Sequence, residues 1–240
     1  MPPAHSALDA LPSLKFQPHD KIFCVETDTL LLAAFACPVA DERWLDLGTG
    51  CGALALFLAA KKRVSVTGVD VQVRALTLAQ NYLKQNAGRL RGTAQFFRGD
   101  IRRWKPVDGR RFDGVVCNPP YYPPRAGRLP PSHEKALARH SLRGDLKAFA
   151  RSARRLLRPG GQACWIVPAT RLGDLLEANR AAALEPKALL PVYTIPTNPA
   201  ELVLLRTIKD GQPGLTLLPP LVPPWPRTLR PGEARARMAH

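Results

Sequence analysis

The tetrapeptide Asn118-Pro119-Pro120-Tyr121 places unusual residue types at the end of a predicted strand, over residues 112–118. An Asn side chain carries both acceptor and donor groups, and a Tyr ring offers a flat face for stacking. Two successive prolines fix φ near −65° and remove two backbone donors, so this loop presents carbonyl groups without competing N–H groups. The alternative is a proline-rich turn with Tyr121 on the surface, but its position after the fourth strand of a sheet that also carries a glycine loop favours a functional site.

A glycine-rich loop, "DLGTGCG" over residues 46–52, follows the first predicted strand. Gly48, Gly50 and Gly52 allow a tight turn and let a ligand approach the backbone, which side chains would block. In an open α/β sheet the ligand binds beyond the carboxyl ends of the strands, where this loop lies. The spacing differs from the Gly-x-Gly-x-x-Gly of dinucleotide-binding loops, because Gly52 comes one residue early for a pyrophosphate clamp.

Acidic residues end each of the first three predicted strands: Asp46, Asp70 and Asp100. A carboxylate at the end of the second strand is placed to accept hydrogen bonds from the ribose hydroxyls of an adenosyl ligand. Asp46 and Asp100 would repel a diphosphate but suit a ligand that carries an amine and a sulfonium, as S-adenosylmethionine does. Each Asp could instead be a helix cap or a turn residue, and for Asp100 the two interpretations are evenly matched.

The elements around these motifs alternate between strand and helix. Hydrophobic runs predict strands over residues 43–48, 64–70, 94–100, 112–118 and 162–168, helices over residues 27–36, 53–62, 72–86, 145–157 and 171–183, and two closing strands over residues 188–195 and 201–208. Strands separated by helices of this length predict a parallel sheet covered on both faces, and the last two strands are close enough to form a hairpin. The sequence therefore predicts a doubly wound α/β fold with a mostly parallel, seven-stranded sheet and an antiparallel last strand.

Composition limits the remaining possibilities. The 240 residues suit one domain, predicted over residues 21–210, with a proline-containing arm over residues 1–20 and a proline-rich basic tail over residues 211–240. No apolar run approaches the ~18 residues of a membrane span, and no signal peptide is evident. The five cysteines form no Cys-x-x-Cys pair and the five histidines show no metal-ligand spacing, so we expect no metal and a reducing, cytoplasmic location.

The chain is strongly basic, with 35 Lys and Arg against 19 Asp and Glu, a formal net charge of +16. Such an excess is typical of proteins that bind nucleic acid. It could also reflect a composition rich in Arg, Ala and Pro without selection for a charged surface.

With these motifs together, the chain resembles the Rossmann-like, S-adenosylmethionine-dependent methyltransferases that act on exocyclic or amide nitrogens. The resemblance implies that Asn118 and the carbonyl of Pro119 accept hydrogen bonds from the target NH₂, while Tyr121 stacks on the planar substrate. It also implies a cofactor site that includes Asn118 and the following residues: Thr27, Asp28, Asp46, Gly48, Gly50, Gly52, Asp70, Val71, Asp100 and Ile101. On the residues alone, Thr27 or Asp28 is equally a helix cap, and Cys117 is more simply a buried thiol than a nucleophile.

Within this class, the chain over about residues 16–208 resembles the bacterial tRNA(Val) adenine-37 N6-methyltransferase family. The resemblance rests on "VETDTLLLAAFA", on "NPPYY" with its doubled Tyr and on "EKALARHS" over residues 134–141, and it implies RNA, most simply tRNA, as the partner. The segment over residues 123–133 is more proline-rich and more basic than this family's pattern. Enzymes that methylate a release-factor glutamine, a guanine of rRNA or an adenine of DNA remain alternatives, as does a non-catalytic RNA-binding Rossmann module.

Substrate contacts are expected on both sides of the tetrapeptide. A flipped base would stack on Tyr121 or Tyr122, and phosphates would meet Arg125, Arg128 and Arg139. A second basic group surrounds the ends of the third and fourth strands: Arg98, Arg102, Arg103, Lys105, Arg110 and Arg111. The arginines at 151, 154, 155 and 158 read more simply as the solvated face of a helix.

Overall fold

The computed structural model describes residues 11–16, 27–119 and 146–223. Within these residues the helices are α1 (Thr27–Ala36), α2 (Ala53–Lys61), α3 (Val73–Asn86), α4 (Leu146–Leu156) and α5 (Leu172–Ala181). The strands are β1 (Arg43–Leu47), β2 (Ser65–Asp70), β3 (Thr93–Arg98), β4 (Phe112–Cys117), β5 (Leu157–Pro168), β6 (Leu184–Val192), β7 (Leu202–Lys209) and β8 (Thr216–Leu217).

All eight strands form one sheet in the order β3-β2-β1-β4-β5-β7-β6-β8. The strands β1 to β5 are mutually parallel, whereas β7 runs antiparallel to both of its neighbours, β5 and β6. The sheet order reverses between β1 and β4, since the chain moves outward from β1 to β3 and then returns to β4. Ligand sites of open α/β sheets lie beyond the carboxyl ends of the strands at such a reversal.

Helices cover both faces of the sheet, so the predicted doubly wound α/β fold is confirmed. One core cluster joins α1, α2 and α3 to their face, and a second joins α4 and α5 to the opposite face. The residues of α1 from Thr29 to Ala36 are all buried, which explains why this helix has no polar face. In α3 the buried residues recur every three to four positions, as expected for a helix with one face on the sheet.

The structure differs from the predicted sheet at its far edge. It has eight strands instead of seven, because Thr216 and Leu217 pair in parallel with β6. The predicted antiparallel last strand is confirmed as β7, which lies between β5 and β6. The strand β6 begins at Leu184, earlier than predicted. The predicted hairpin of the two closing strands is confirmed by the pairing of β6 with β7.

Residues that precede and follow the predicted domain in the sequence also pack into the core. Leu11, Leu14 and Phe16 belong to the first core cluster, and so does Leu221. The division into an arm, a domain and a tail stays a prediction, and most of the arm and of the tail lies outside the described residues. No helix among the described residues is long and apolar enough to cross a membrane.

Candidate functional site

Three neighbouring strands end at the same edge of the sheet and bring the predicted site residues together. Asp46 of β1 pairs with Gly68 of β2 on one side and with Val116 of β4 on the other. Two residues further along each strand come Gly48, Asp70 and Asn118. Since neighbouring strands lie about 4.8 Å apart, these three positions form one short row across the carboxyl edge.

The glycine loop is held against β2 by its backbone. The N–H groups of Gly48 and Thr49 both donate to the carbonyl of Val69, at 2.9 and 3.1 Å. Gly50 has φ of 55°, and a Cβ placed on it would find no atom of the described residues within 4 Å. Open space therefore borders the loop at Gly50, as the approach of a ligand to the backbone requires.

Asp46 is a buried carboxyl group, only 2% exposed. The hydroxyl of Thr49 donates to its Oδ2 at 2.6 Å. Burial raises the pKa of Asp46 to about 7, and the nearby charge of Asp70 adds to the rise, while the Thr49 hydrogen bond opposes it. A cation bound beside this carboxyl would favour its ionised form, so the site suits a positively charged ligand.

Asp70 fastens the glycine loop to the end of β2. Its Oδ2 accepts the N–H of Gly50 at 2.9 Å and its Oδ1 accepts the N–H of Gln72 at 2.9 Å. Burial raises the pKa of Asp70, which these backbone hydrogen bonds partly offset. Each carboxylate oxygen can accept more than one hydrogen bond, so Asp70 keeps the capacity to bind a ribose hydroxyl.

Asn118 presents a buried acceptor at the end of β4. Its Oδ1 is buried and accepts no hydrogen bond from the described residues. An unpaired buried polar atom costs on the order of 1–3 kcal/mol, so its retention requires an explanation such as a ligand. Pro119, the next residue, is buried.

The neighbouring thiol of Cys117 is fully buried and has its closest polar contact with the carbonyl of Leu47, at 3.5 Å. Burial raises its pKa well above the usual value. The predicted burial of the Cys117 thiol is confirmed.

Asp100 does not extend the row. Its carboxylate forms a salt bridge with the Arg102 guanidinium, which holds the Asp100 pKa below its usual range. Its carbonyl accepts the N–H groups of Arg103 and Trp104, at 2.9 and 2.8 Å. These contacts are those of a turn residue, one of the two alternatives that the sequence offers for Asp100. A cofactor role for Asp100 would require the salt bridge with Arg102 to open.

The other predicted site residues are distributed as follows. Val71 directly follows Asp70 and is half-buried, whereas Ile101 is buried in the second core cluster. Thr27 and Asp28 form the first turn of α1, and both are half-buried. The remaining predicted residues lie outside the described residues: Pro120, Tyr121, Tyr122, Arg125, Arg128 and Arg139.

Comparison with known proteins agrees with this geometry. The family model of the methyltransferase small domain matches residues 15–175. The chain is 30% identical over 191 residues to a tRNA1(Val) (adenine(37)-N6)-methyltransferase of Parabacteroides distasonis, covering 78% of each chain. A protein of the same name from Vibrio vulnificus is 31% identical over 198 residues, covering 80% of each chain.

The chain belongs to the methyltransferase small domain family. Its fold is also that of the protein Atu636 from Agrobacterium tumefaciens, described as a predicted O-methyltransferase, with a TM-score of 0.64, 20% identity and coverage of 82% of this chain and 87% of that one. The resemblance to S-adenosylmethionine-dependent methyltransferases is thereby confirmed, and the chain is an enzyme of that class with S-adenosylmethionine as its cofactor.

The described residues of this methyltransferase fit the cofactor. The open space at Gly50 and the two buried carboxyl groups of raised pKa suit a ligand that combines hydroxyl and cationic groups. In this arrangement Gly48 and Gly50 would border the cofactor, Asp70 would accept its ribose hydroxyls, and Asp46 would lie near its positive charge.

Two contributors to the site were missed by the sequence analysis. Thr49 fixes the Asp46 carboxyl group, and a hydroxyl between two glycines was the available signal. Helical spacing places Arg155 on a solvated face, but its guanidinium donates to the carbonyls of Ile101 and Trp104, both at 2.8 Å. Helical spacing carries no signal for a contact with a loop about 50 residues earlier.

Proposed function

We propose that this methyltransferase transfers a methyl group from S-adenosylmethionine to the exocyclic N6 of an adenine in RNA, most specifically adenine 37 of a tRNA. The relatives from Parabacteroides and Vibrio, whose names give this activity, support the choice of substrate. A tRNA substrate would also place the protein in the cytoplasm. The site residues named above are part of this proposal.

The single observation that carries the proposed chemistry is the buried Oδ1 of Asn118. It lies one strand away from the glycine loop, because β1 and β4 are adjacent and in parallel register. An adenine NH₂ has two N–H groups, so this oxygen and the Pro119 carbonyl would accept one hydrogen bond each.

These two acceptors would also promote the reaction. The lone pair of an adenine amine is delocalised into the ring, which makes the nitrogen a poor nucleophile. The bound cofactor supplies an electrophilic methyl group on a sulfonium. Hydrogen bonds to both N–H groups hold the nitrogen in place and favour a tetrahedral geometry, so the lone pair points at the methyl carbon. As the N–C bond forms, the methyl–sulfur bond would break with its electron pair left on sulfur, and the extra proton of the amine would pass to solvent.

Replacement of Asn118 tests this role. We expect Asn118→Ala to lower kcat for RNA methylation by at least about 100-fold, the typical loss when one preorganised polar contact to a reacting group is removed. The dissociation constant for S-adenosylmethionine, measured by calorimetry, should change little. Asn81→Ala is the matched control, because Asn81 is an exposed amide on α3. A loss of cofactor binding in Asn118→Ala would contradict the assignment of Asn118 to the amine.

The substrate is tested by incubating the enzyme with methyl-labelled cofactor and, separately, with total tRNA, rRNA and a peptide release factor. We expect labelled N6-methyladenosine in the tRNA reaction after nucleoside mass analysis. Label that arrives only on a glutamine of the release factor would contradict the RNA substrate.

A further inference from the structure

The segment from the end of β3 to the start of β4, residues 98–111, is called the basic loop here. It carries six basic and two acidic residues. It begins at the carboxyl edge of the sheet, where Arg98 pairs with Asp70 in register and the N–H of Gly99 donates to the Asp70 carbonyl at 2.9 Å. The basic loop therefore starts at the rim of the candidate active site.

The basic loop also reaches the opposite edge of the sheet. Because β4 is parallel to its neighbours and begins at Phe112, Arg110 and Arg111 lie at the amino edge. A strand of this length spans about 20 Å. The basic residues of the loop thus extend from the rim of the candidate active site, at the carboxyl edge of the sheet, to its amino edge.

The backbone of the basic loop is held in place. The Arg155 guanidinium of α4 binds the carbonyls of Ile101 and Trp104, and the Trp104 ring lies between Phe97 and Phe112, with centroid distances of 6.1 and 6.3 Å. A Cβ on Gly99 would lie 2.5 Å from the Trp104 ring, so the chain is closely packed there. A loop fixed in this way loses little entropy when its side chains bind a partner.

The two acidic residues of the basic loop are already engaged. Asp100 pairs with Arg102, and Asp108 pairs with Arg43 at 2.8 Å. Five exposed side chains are left that pair with no carboxylate of the described residues: Arg98, Arg103, Lys105, Arg110 and Arg111. Besides burial, the charge of Arg111 lowers the pKa of the Arg155 guanidinium, so the two cations lie close enough to repel each other.

The basic residues of α4 and β5 have a different environment. Lys147 pairs with Glu177, Arg154 with Asp210 and Arg158 with Asp113. A paired cation gains less from a phosphate, because the existing pair must be broken or shared. On the face of the sheet that α4 covers, phosphates would therefore bind mainly to the cations of the basic loop.

We propose that the basic loop binds the phosphates of the RNA helix that flanks the methylated adenine. This inference rests on the proposed RNA substrate and adds the surface on which that substrate lies. A strip of about 20 Å leading away from the site suits a helical stem, whereas a single nucleotide would reach only its first residues. Such contacts position the RNA and give affinity that falls with salt.

The test compares two triple variants that remove the same charge. The first is Arg103→Gln, Lys105→Gln and Arg110→Gln. The second, Lys62→Gln, Arg89→Gln and Arg91→Gln, removes three exposed cations outside the basic loop that also pair with no carboxylate of the described residues. Binding of an unmodified tRNA transcript is measured at several salt concentrations, together with cofactor affinity, melting temperature, and KM and kcat for methylation.

We expect the basic-loop variant to lower the slope of log K against log salt by about 2, since each phosphate contact contributes roughly 0.7–0.9. Its KM for tRNA should rise more than its kcat falls, and its cofactor affinity should match that of the wild type. The control variant should keep the wild-type slope.

The outcomes separate the two proposals. Equal slopes for all three proteins, or an equal loss in both variants, would overturn the basic loop as the RNA surface while leaving the methylated base as proposed. A wild-type enzyme that methylates no RNA would overturn both.

Discussion

Asp46, which we propose lies near the positive charge of the cofactor, has an unfavourable environment for a carboxylate. Its carboxyl group is fully buried, and burial raises its pKa from 3.8 to about 7. Because the folded state binds this proton more tightly than the unfolded state does, the contribution to stability is complete below pH 3.8 and is lost as the pH rises through about 7. The ionised form that a cationic ligand would favour is thus the form that destabilises the free protein.

The Asp46→Asn substitution should remove this dependence. Between pH 5 and pH 8 the unfolding free energy of the wild type should fall relative to that of Asp46→Asn by roughly 2–3 kcal/mol, given the two pKa values. Urea unfolding at both pH values measures the difference. Parallel pH profiles for the two proteins would show that Asp46 ionises normally in the fold.

Single residues could be predicted where type and position at a strand end suffice. Asp46 and Asp70 lie at the ends of β1 and β2, and Asn118 directly follows β4, so their common edge follows from a parallel sheet. Asp100 could not be assigned in the same way, because an Asp after a strand can equally form a turn, and here its carboxylate accepts the Arg102 N–H and pairs with the Arg102 guanidinium.

At the scale of elements, two glycines of the glycine loop are required for different reasons, open space at Gly50 and close packing at Gly52. The spacing of the glycines in the sequence does not distinguish these reasons. Gly50 and Gly52 both have positive φ, of 55° and 79°. A Cβ on Gly50 would meet open space, but one on Gly52 would lie 2.5 Å from the Phe96 ring and 2.8 Å from the Ala79 Cβ. Gly50 therefore borders open space, whereas Gly52 lies where α2 packs against the sheet and α3.

Alanine at the two positions should have different consequences. Gly52→Ala should lower the unfolding free energy by more than about 2 kcal/mol, through both the left-handed backbone and the overlap. Gly50→Ala should cost only about 1–2 kcal/mol, from the backbone alone, but should weaken cofactor binding. Urea unfolding and calorimetry give the two quantities, and equal stability losses would contradict this division.

Element types and their order were predictable from hydrophobic periodicity, whereas their ends often were not. Residues 157–161 contain the Pro-Gly-Gly that reads as a helix stop, yet they open β5, whose Leu157 pairs with Phe112. The pairing partner lies 45 residues earlier, beyond the reach of a local pattern.

At the scale of the whole molecule, the sheet order depends on contacts between distant parts of the chain. Alternating strands and helices predict a parallel sheet, but they do not predict which strands are neighbours. The position of β7 between β5 and β6 is set by its pairing with both strands. The short strand β8 likewise forms because β6 offers it an edge. The same dependence on distant contacts applies to the first described segment, residues 11–16, which no periodicity marks as part of the core.

That segment is attached through Phe16 and Lys15. The Phe16 ring packs against Tyr82 and Phe57, with centroid distances of 5.1 and 5.6 Å. The Asn86 side chain accepts the N–H of Lys15 at 2.7 Å and donates to its carbonyl at 2.8 Å. Residues 11–16, which belong to the predicted arm, thus pack against the middle of α2 and the C-terminal end of α3.

Phe16→Ala should therefore lower the unfolding free energy of the whole domain by about 3 kcal/mol, the usual cost of emptying a buried aromatic site. Ser13→Ala, an exposed position in the same segment, should change it by less than about 0.5 kcal/mol. Phe16 also packs against α2, the helix that follows the glycine loop. The midpoint of a single cooperative urea transition should therefore fall in Phe16→Ala. An unchanged midpoint would mean that residues 11–16 are an arm in the energetic sense, adding no stability to the methyltransferase fold.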